Sequence, residues 1–539
     1  MSESRASFAR KSSGLIRDAT LFDAFIFGVS LAIPFAANFF LYPLYTFFLP
    51  GADWTIATII GFVIAIANYV IYAGFGSMMP RSGGDYVFQS RGVHPILAFI
   101  SVISWDVFLQ APLFAIILLS SSLALGITPL LLMAGTVTNA NALINAGTWA
   151  SSPIGSFLIS AFLLFLALLA NVFGIKWVAR SQRYILLPLI LVSGITIPVL
   201  LFSTTPTAFH AAFDTYALAL NGTANSYNTV LSATSAAGFV VPTFSWLHTI
   251  YLAIIIGMSF LAWTVGTSPI FGEIKGAGNF KGLLIAFIAG GLFQAFFLMV
   301  PELAGFQYAL GSQFMNAIAF QSFTGTPALQ FIPSMGLLTL MATNNLVVMV
   351  LASLGYIVAG YFMVQLFLAN MSRYLLAGSI DSVLPQWLSA PSRRFRSPVN
   401  SLVISFIVVV IFAGLVDLQP AQLAFWISVA VITGPVLFFG TSLAAIVFPI
   451  TNAEIYKSSP VARYKGMLPL CGLVIFLLSC FLLIGYFVVP ELEAGIGPFA
   501  IAVITIFAIL SVVWYFVFKR YQAKKGIDIG LVYREIPPE

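Results

Sequence analysis

Apolar stretches of about 20 residues, separated by short polar breaks, recur along the whole chain. A helix of that length crosses the hydrocarbon of a bilayer, whereas an open sheet would leave backbone groups unpaired in lipid. The pattern therefore predicts an all-α integral membrane protein of about twelve transmembrane helices. The predicted spans are Leu21–Phe48, Thr55–Met79, Ile96–Leu125, Ile154–Phe173, Tyr184–Phe202, Leu247–Phe271, Gly282–Pro301, Leu346–Leu376, Val399–Val416, Ala421–Phe448, Met467–Val489 and Pro498–Phe518.

The distribution of charge supports this number of spans. In the predicted arrangement all 23 Lys and Arg fall on the side of the membrane that holds the N-terminus. The charged residues of the intervening loops are all acidic, namely Asp53, Asp214, Glu302, Asp417, Glu491 and Glu493. The positive-inside rule then places both termini in the cytoplasm of a multi-pass cell-membrane protein. The net charge of +6 thus has a topological explanation, and no aromatic-interleaved basic stripe indicates a nucleic-acid partner.

Two predicted spans contain small, hydroxylated and proline residues at mid-depth. The first holds the run from Gly28 to Pro34, and the sixth holds the run from Trp263 to Pro269. Proline removes a helical hydrogen bond and clashes with the preceding turn. A pair of interrupted helices in matching positions of two halves indicates an inverted-repeat transporter whose binding site is formed by the breaks. For either helix alone, a simple kink is the alternative interpretation.

One ionisable residue lies inside the hydrocarbon of the predicted third span. Asp106 follows Trp105, and Gln110 lies one turn later on the same helix face. A carboxyl group at that depth is costly and is by default a functional hypothesis. We expect Asp106 to take part in coupling transport to an ion gradient. The alternative is a protonated aspartate that hydrogen bonds to a neighbouring helix for packing.

Four short motifs follow one another in a characteristic order. The first, Pro80-Arg81-Ser82-Gly83-Gly84-Asp85-Tyr86, resembles the Pro-x-Ser-Gly-Gly-x-Tyr signature of the first cytoplasmic loop in the amino acid–polyamine–organocation (APC) superfamily. The others are Asn171–Lys176 leading to Arg180, Phe271–Lys275, and Ser372–Ala377 followed by Ser397-Pro398. In this order they resemble the amino acid permeases of that superfamily.

The resemblance implies a core of five plus five helices in inverted repeat, two peripheral helices, and alternating access around a central pocket. It also implies that the substrate is an amino acid or a related small amine or organic acid. The expected divisions are a cytoplasmic tail 1–20, a first repeat 21–202, an extracellular loop 203–246, a second repeat 247–448, peripheral helices 467–518 and a cytoplasmic tail 519–539.

The resemblance also implies where the substrate binds. In the family the substrate carboxylate meets backbone N–H groups at the break of the first helix, and the amine meets carbonyls at both breaks. Carried over to this chain, the site residues are Ser30, Ala32, Ile33, Pro34, Phe35, Ala36 and Ala37 of the first span and Trp263, Thr264, Gly266 and Thr267 of the sixth.

Two departures from the family limit this assignment. Pro34-Phe35-Ala36 stands where the family has a Gly-Ser/Thr-Gly cradle, although proline donates no N–H and phenylalanine is bulky. The fifth span lacks the lysine that some members hold where sodium-coupled relatives bind a cation. Coupling to protons, coupling to sodium and exchange all remain open.

Other classes of protein find little support in the sequence. The chain has no HExxH, GxSxG or P-loop motif, so we expect no enzymatic activity, cofactor or bound metal, and the energy for transport comes from a gradient. The alternatives are a carrier of another small solute and a membrane solute sensor. We expect the protein to be a monomer or a dimer whose partners are membrane lipids and the substrate. Asn221-Gly222-Thr223 forms a glycosylation sequon.

Overall fold

The computed structural model of the chain describes residues 14–31, 42–221, 223–324, 328–392, 394–419, 423–489 and 498–533. Within these ranges the regular structure is helical, apart from one isolated parallel bridge between Ala19 and Ile274. Eleven of the helices described there are long and apolar enough to cross a membrane, and a shorter apolar helix precedes them. The predicted all-α membrane fold is confirmed.

The helices are numbered here in chain order. They are α1 (Leu21–Leu31), α2 (Trp54–Met78), α3 (Pro95–Thr138), α4 (Pro153–Val172), α5 (Ile175–Ser203), α6 (Trp246–Glu273), α7 (Phe280–Leu310), α8 (Leu346–Ile380), α9 (Val399–Asp417), α10 (Leu423–Thr451), α11 (Met467–Val488) and α12 (Pro498–Ala523).

Polar residues mark the starts of several of these helices. Asp53, Ser152, Asn279 and Asn345 each occupy an N-cap, and their side-chain oxygens accept hydrogen bonds from backbone N–H groups of the first turn. These N–H groups have no carbonyl partner inside the helix, and a capping oxygen satisfies them. The apolar runs therefore begin where a short polar residue ends a loop.

The structure describes only part of the first predicted span. The helix α1 covers Leu21–Leu31, and helical residues resume over 42–48. The residues 32–41 between them are outside the described part of the chain.

The seventh span extends beyond its predicted end at Pro301, and Glu302 is not in a loop. The π-helical segment Phe293–Met299 lies just before Pro301 and accommodates the missing proline N–H. The Glu302 side chain is buried, and its carboxylate accepts a 2.5 Å hydrogen bond from the hydroxyl of Tyr356 in α8. The prediction that Glu302 lies in an outer loop is wrong, because the residue belongs to the helix Val300–Leu310.

Segments predicted as outer loops also contain helices. These helices are Asn141–Ala150, Pro206–Asn221 and Ser226–Ala236. Phe209 and Phe213, spaced by one helical turn, are buried against neighbouring aromatic rings. The high fraction of Ser, Thr and Ala obscures this amphipathic pattern in the sequence. These connections between spans therefore contain helices that the sequence did not reveal.

Close packing around α6 depends on glycine. A Cβ atom on Gly61 of α2 would lie 2.9 Å from the carbonyl oxygen of Ala253, and one on Gly257 of α6 would lie 2.7 Å from the carbonyl oxygen of Gly61. Such distances leave no room for a side chain. Small residues let membrane helices approach closely, and here they bring α2 against α6.

Candidate functional site

The sixth helix changes geometry at the segment predicted to be interrupted. Two 3₁₀ segments, Leu261–Val265 and Ser268–Glu273, flank a turn at Gly266 and Thr267. Pro269 has no N–H to donate, which prevents a continuous i to i−4 ladder at this point. The interruption leaves backbone carbonyls that α6 itself cannot satisfy.

Side chains from neighbouring helices satisfy several of these carbonyls. Residues on α2 and α8 reach across to the interrupted backbone, where a polar group without a partner would be costly in lipid. The bonds run from Tyr69 Oη to the oxygen of Leu261 (2.9 Å), from Asn68 Nδ2 to that of Ala262 (3.4 Å) and from Asn370 Nδ2 to that of Gly266 (2.7 Å).

Gln294 of α7 joins α1 to the interruption in α6. Its amide nitrogen donates to the carbonyl of Gly28 at 2.9 Å and to the hydroxyl of Thr264 at 3.3 Å. A Cβ atom on Gly28 would lie 2.7 Å from the carbonyl oxygen of Thr264. The two spans predicted to be interrupted therefore lie in direct contact.

Two predicted site residues present hydroxyl groups without a partner. Ser30 of α1 and Thr267 of α6 are both fully buried, and neither hydroxyl has a hydrogen-bond partner within the described part of the chain. A buried hydroxyl in this state can bind a ligand. The other predicted residues of the first span lie outside the described residues, namely Ala32, Ile33, Pro34, Phe35, Ala36 and Ala37.

Trp263 contributes an aromatic wall beside these groups. Its ring makes edge contacts with Phe367 of α8 at a centroid distance of 5.8 Å and with Phe438 of α10 at 5.4 Å. A Cβ atom placed on Gly434 would lie 3.8 Å from the indole of Trp263 and 3.7 Å from the side-chain amide of Gln110. Trp263 and Gln110 thus meet at Gly434.

Asp106 lies in this same region. It is buried in the π-helical segment Phe99–Leu109 of α3. The side-chain amide of Gln110 is oriented so that both its nitrogen and its oxygen have partners. The nitrogen donates to Asp106 Oδ1 at 2.8 Å, and the oxygen accepts from the N–H of Gly434 at 3.2 Å. The predicted proximity of Asp106 and Gln110 is observed, and Gln110 links the carboxyl to the surroundings of Trp263.

A family model described as amino acid permease matches residues 20–510 of this chain. The chain belongs to the amino acid permease family. No curated protein matches the chain. The predicted resemblance to APC permeases is confirmed, and the permease is a multi-pass membrane transporter.

Sequence reasoning missed several residues that shape this region of the permease. Asn68, Tyr69, Gln294 and Asn370 are isolated polar residues inside apolar spans, which is the signal that could have singled them out. Their partners are backbone carbonyls more than one hundred residues away in most cases, as with Asn370 and Gly266. The sequence does not reveal such pairings.

Buried ion pairs hold the ends of the permease helices. Arg373 of α8 pairs with Glu273 at the end of α6 through bonds of 2.7 and 3.0 Å, and both side chains are almost fully buried. Arg91 pairs with Asp381 through bonds of 2.5 and 2.8 Å. Paired and hydrogen-bonded charges of this kind are tolerated in a low-dielectric interior.

The C-terminal segment packs on one of these ion pairs. The ring of Tyr533 lies 5.0 Å from the guanidinium of Arg91, and its hydroxyl lies 2.9 Å from that of Tyr86. Burial raises the pKa of Tyr533 well above its ordinary value, and the charge of Asp381 adds to the effect. The phenol therefore stays protonated at physiological pH.

Proposed function

We propose that this permease is a secondary active transporter of amino acids or related small amines and organic acids. It works by alternating access in the cell membrane, either coupled to protons or sodium or as an exchanger. The observation that carries the proposal is the interruption of α6 beside α1, where Ser30 and Thr267 keep unpartnered buried hydroxyls. Discontinuous helices of this kind form the binding sites of many transporters.

The polar groups of the substrate would meet the helix interruptions. Interrupted helices offer free N–H groups and a positive dipole end for a carboxylate. The carbonyls of Leu261 and Gly266 already accept hydrogen bonds from protein side chains, so the hydroxyls of Ser30 and Thr267 are the available partners. We assign Trp263 as the wall against which the apolar part of the substrate packs.

The remaining predicted residues complete the proposed site. Residues 32–37 would contribute the first-helix side of the pocket, with Pro34-Phe35-Ala36 in place of a glycine-rich cradle. Asp106 would serve in coupling, since a carboxyl in low-dielectric surroundings can gain and lose a proton as those surroundings open to either side. The repeats would correspond to 21–202 and 247–448, with peripheral helices within 467–518.

Uptake of a panel of radiolabelled amino acids, amines and organic acids into proteoliposomes tests the proposal. Imposed pH and sodium gradients separate the coupling modes, and preloading with substrate reveals exchange. We expect concentrative uptake or exchange of at least one α-amino acid. Absence of amino acid transport, with uptake of a different solute instead, would reject the substrate class.

A pair of conservative variants tests the site. Ser30→Ala and Thr267→Val remove one hydroxyl each, and we expect the KM to rise about tenfold for each lost hydrogen bond to substrate. Ser479→Ala in α11 is the matched control, because Ser479 also has a buried, unpartnered hydroxyl but belongs to a helix that contributes no residue to the proposed site. Unchanged KM values in both site variants would contradict the assignment.

A further inference from the structure

A cleft lined by basic side chains lies at one end of the transmembrane helices. It has a volume of about 240 Å³, and its lining residues come from the turn between α4 and α5, the loop before α9, the end of α6 and the segment before α1. All of these segments adjoin the ends of apolar spans. The cleft therefore lies at the depth of the lipid headgroups and outside the hydrocarbon.

Positive charge predominates in this cleft. Lys176, Arg394 and Arg396 contribute three basic side chains, and none of them forms an ion pair within the described part of the chain. The acidic lining residues are Asp18 and Glu273, and the second is already neutralised by its pairing with an arginine of α8. Three positive charges thus outweigh one unpaired negative charge, so the cleft attracts an anion.

The start of α5 adds hydrogen-bond donors of a second kind. Gly174 occupies the N-cap and has no side chain that could accept from the first N–H groups of the helix, which runs to Ser203. A Cβ atom on Gly174 would lie 3.2 Å from the carbonyl oxygen of Phe395, and its φ of 94° favours glycine. Ile175 and Lys176 begin the helix and line the cleft. Uncapped N–H groups at a helix start bind phosphate oxygens.

Specific contacts fix the loop before α9 against the turn between α4 and α5. The hydroxyl of Ser397 donates to the carbonyl oxygen of Val172 at 2.8 Å. The ring of Phe395 packs edge-on against that of Phe173 at a centroid distance of 5.5 Å. Within the loop, the N–H of Ser392 donates to the oxygen of Ser397 at 2.9 Å. These contacts keep the two arginines of the loop beside the start of α5.

Exposed aromatic rings mark this end of the spans as a membrane interface. Phe173 and Trp177 are 50% and 55% exposed, and they flank the short turn between two apolar helices. Tryptophan is enriched at the level of the headgroups, where its ring has apolar and polar surroundings. The guanidinium of Arg180 lies 6.0 Å from the ring of Trp177. A phosphate that is attached to acyl chains can therefore reach the cleft directly from the bilayer.

We propose that the cleft binds the phosphate group of an anionic phospholipid from the adjacent leaflet. The phosphate oxygens accept hydrogen bonds from Arg394, from Arg396 and from the first N–H groups of α5, while the acyl chains stay in the bilayer. The cleft is smaller than the pockets of about 300 Å³ and more that hold whole drug-sized molecules, so it fits a headgroup.

The predicted orientation of the chain agrees with this choice of ligand. It places the cleft on the cytoplasmic side, where anionic lipids give the leaflet a negative surface potential. Basic pockets between helices on that side bind lipid headgroups in other membrane proteins. Lipid binding at this cleft does not depend on the proposed transport function.

Native mass spectrometry of the delipidated protein in detergent tests the proposal. The protein is titrated with phosphatidylglycerol, which carries a phosphate and no amine, and separately with zwitterionic phosphatidylcholine. We expect the first phosphatidylglycerol to bind about tenfold more tightly than the first phosphatidylcholine. Arg394→Gln/Arg396→Gln should weaken this binding about 25-fold, because each basic residue near an anionic lipid contributes about a factor of five.

A charge-matched double variant on the same predicted side serves as the control. Arg463→Gln/Lys465→Gln removes two exposed basic residues that have the same spacing in the chain and do not line the cleft. It should keep the wild-type affinity for the first phosphatidylglycerol. Size-exclusion chromatography verifies the folding of both double variants. Wild-type affinity in Arg394→Gln/Arg396→Gln, or an equal loss in both double variants, would overturn the proposal.

The unpaired acid in the cleft predicts a change of opposite sign. Asp18→Asn removes a negative charge that repels the phosphate, so phosphatidylglycerol should bind about fivefold more tightly. Damage to the fold cannot produce tighter binding. Glu454→Gln, which removes an exposed acid on the same predicted side, should have no effect. Unchanged or weaker binding in Asp18→Asn contradicts the proposed position of the phosphate.

Quenching of tryptophan fluorescence locates the bound lipid. Phosphatidylglycerol with brominated acyl chains quenches an indole that it contacts. We expect a component of quenching that saturates at low lipid concentration and is missing in Trp177→Phe. Trp387→Phe is the matched control, because Trp387 is 52% exposed but does not line the cleft. A saturable component that survives in Trp177→Phe would place the lipid elsewhere and reject the site.

Inorganic phosphate distinguishes a lipid from a soluble ligand with the same chemistry. In the quenching assay, sodium phosphate replaces sodium chloride at constant ionic strength, so that general screening is unchanged. We expect the brominated phosphatidylglycerol to stay bound, because free phosphate has no acyl chains to hold it at the interface. Displacement of the lipid by phosphate would assign the cleft to a soluble phosphate-bearing ligand and reject the lipid.

Discussion

Asp106 and its neighbour Gln110 form one polar unit inside apolar surroundings. Asp106→Asn keeps the size and hydrogen-bonding capacity of the side chain but removes its titration. We therefore expect this variant to lose gradient-driven accumulation in proteoliposomes while substrate counterflow remains measurable. An aspartate that serves only in packing would tolerate its amide isostere. Normal concentrative uptake by well-folded Asp106→Asn protein would exclude the coupling role.

The ion pair between Arg373 and Glu273 makes a separate prediction about stability. Glu273→Gln leaves the buried guanidinium without its counter-charge, which costs about 3 to 5 kcal/mol. The double variant with Arg373→Met should cost less than the sum of the single variants, because neither charge is then left unpaired. Denaturation of the detergent-purified protein measures the three values, and strict additivity would argue against the pair. Lys465→Met, at an exposed position, is the control.

At the residue level, the sequence revealed groups that stand out chemically but not their partners. Asp106 is conspicuous in an apolar span, and its interaction with Gln110 follows from helical spacing. Asp85 belongs to a recognised motif, yet its carboxylate accepts hydrogen bonds from Ser268, Tyr374 and Thr441, which lie on helices that only the folded chain brings together. Local periodicity does not encode such long-range contacts.

At the level of elements, the interruption in α6 was predictable and the helices outside the main spans were not. Gly266 and Pro269 weaken or remove backbone hydrogen bonds by their own chemistry, so local sequence suffices. The helix Pro206–Asn221 depends instead on Phe209 and Phe213 finding aromatic partners. Its stability comes from tertiary packing, which propensity does not report.

The C-terminal segment offers a prediction at this scale. Ile529, Val532 and Tyr533 are buried, whereas Leu531 is 57% exposed. Tyr533→Ala should undock the segment locally, because it removes the contact of the ring with Arg91 and that of the hydroxyl with Tyr86. We expect the variant to lose about 2 kcal/mol of the free energy that holds the segment in place. Because 1.4 kcal/mol corresponds to a factor of ten, the undocked population should rise more than tenfold.

Limited trypsin digestion measures this undocking. We expect cleavage after the paired residues Lys524 and Lys525 to accelerate more than tenfold in Tyr533→Ala, with little change in global unfolding. Leu531→Ala is the matched control, because Leu531 lies on the exposed face of the short helix Ile529–Val532 that ends just before Tyr533. Equal cleavage rates in Tyr533→Ala and the wild type would mean that the docked tyrosine does not stabilise the segment.

At the scale of the whole molecule, the family match over residues 20–510 and the helices of the structure agree on a membrane transporter. Its predicted orientation rests on charge alone. All 23 Lys and Arg fall on one predicted side, which the positive-inside rule assigns to the cytoplasm together with both termini. The presence of 23 basic residues on that side makes the opposite orientation unfavourable during insertion.

Cysteine labelling in intact cells tests this orientation. Cys471 and Cys480 are first replaced by serine so that only introduced thiols react. Thr148→Cys and Ser232→Cys occupy exposed positions on the predicted outer side and should react with an impermeant maleimide, whereas Ala390→Cys should react only after the membrane is permeabilised. Thr148 and Ser232 lie on one predicted side of the membrane and Ala390 lies on the other, so an inverted topology would reverse all three results. Reaction of Ala390→Cys from outside, with protection of the other two, would place both termini outside the cell and reject the charge-based orientation.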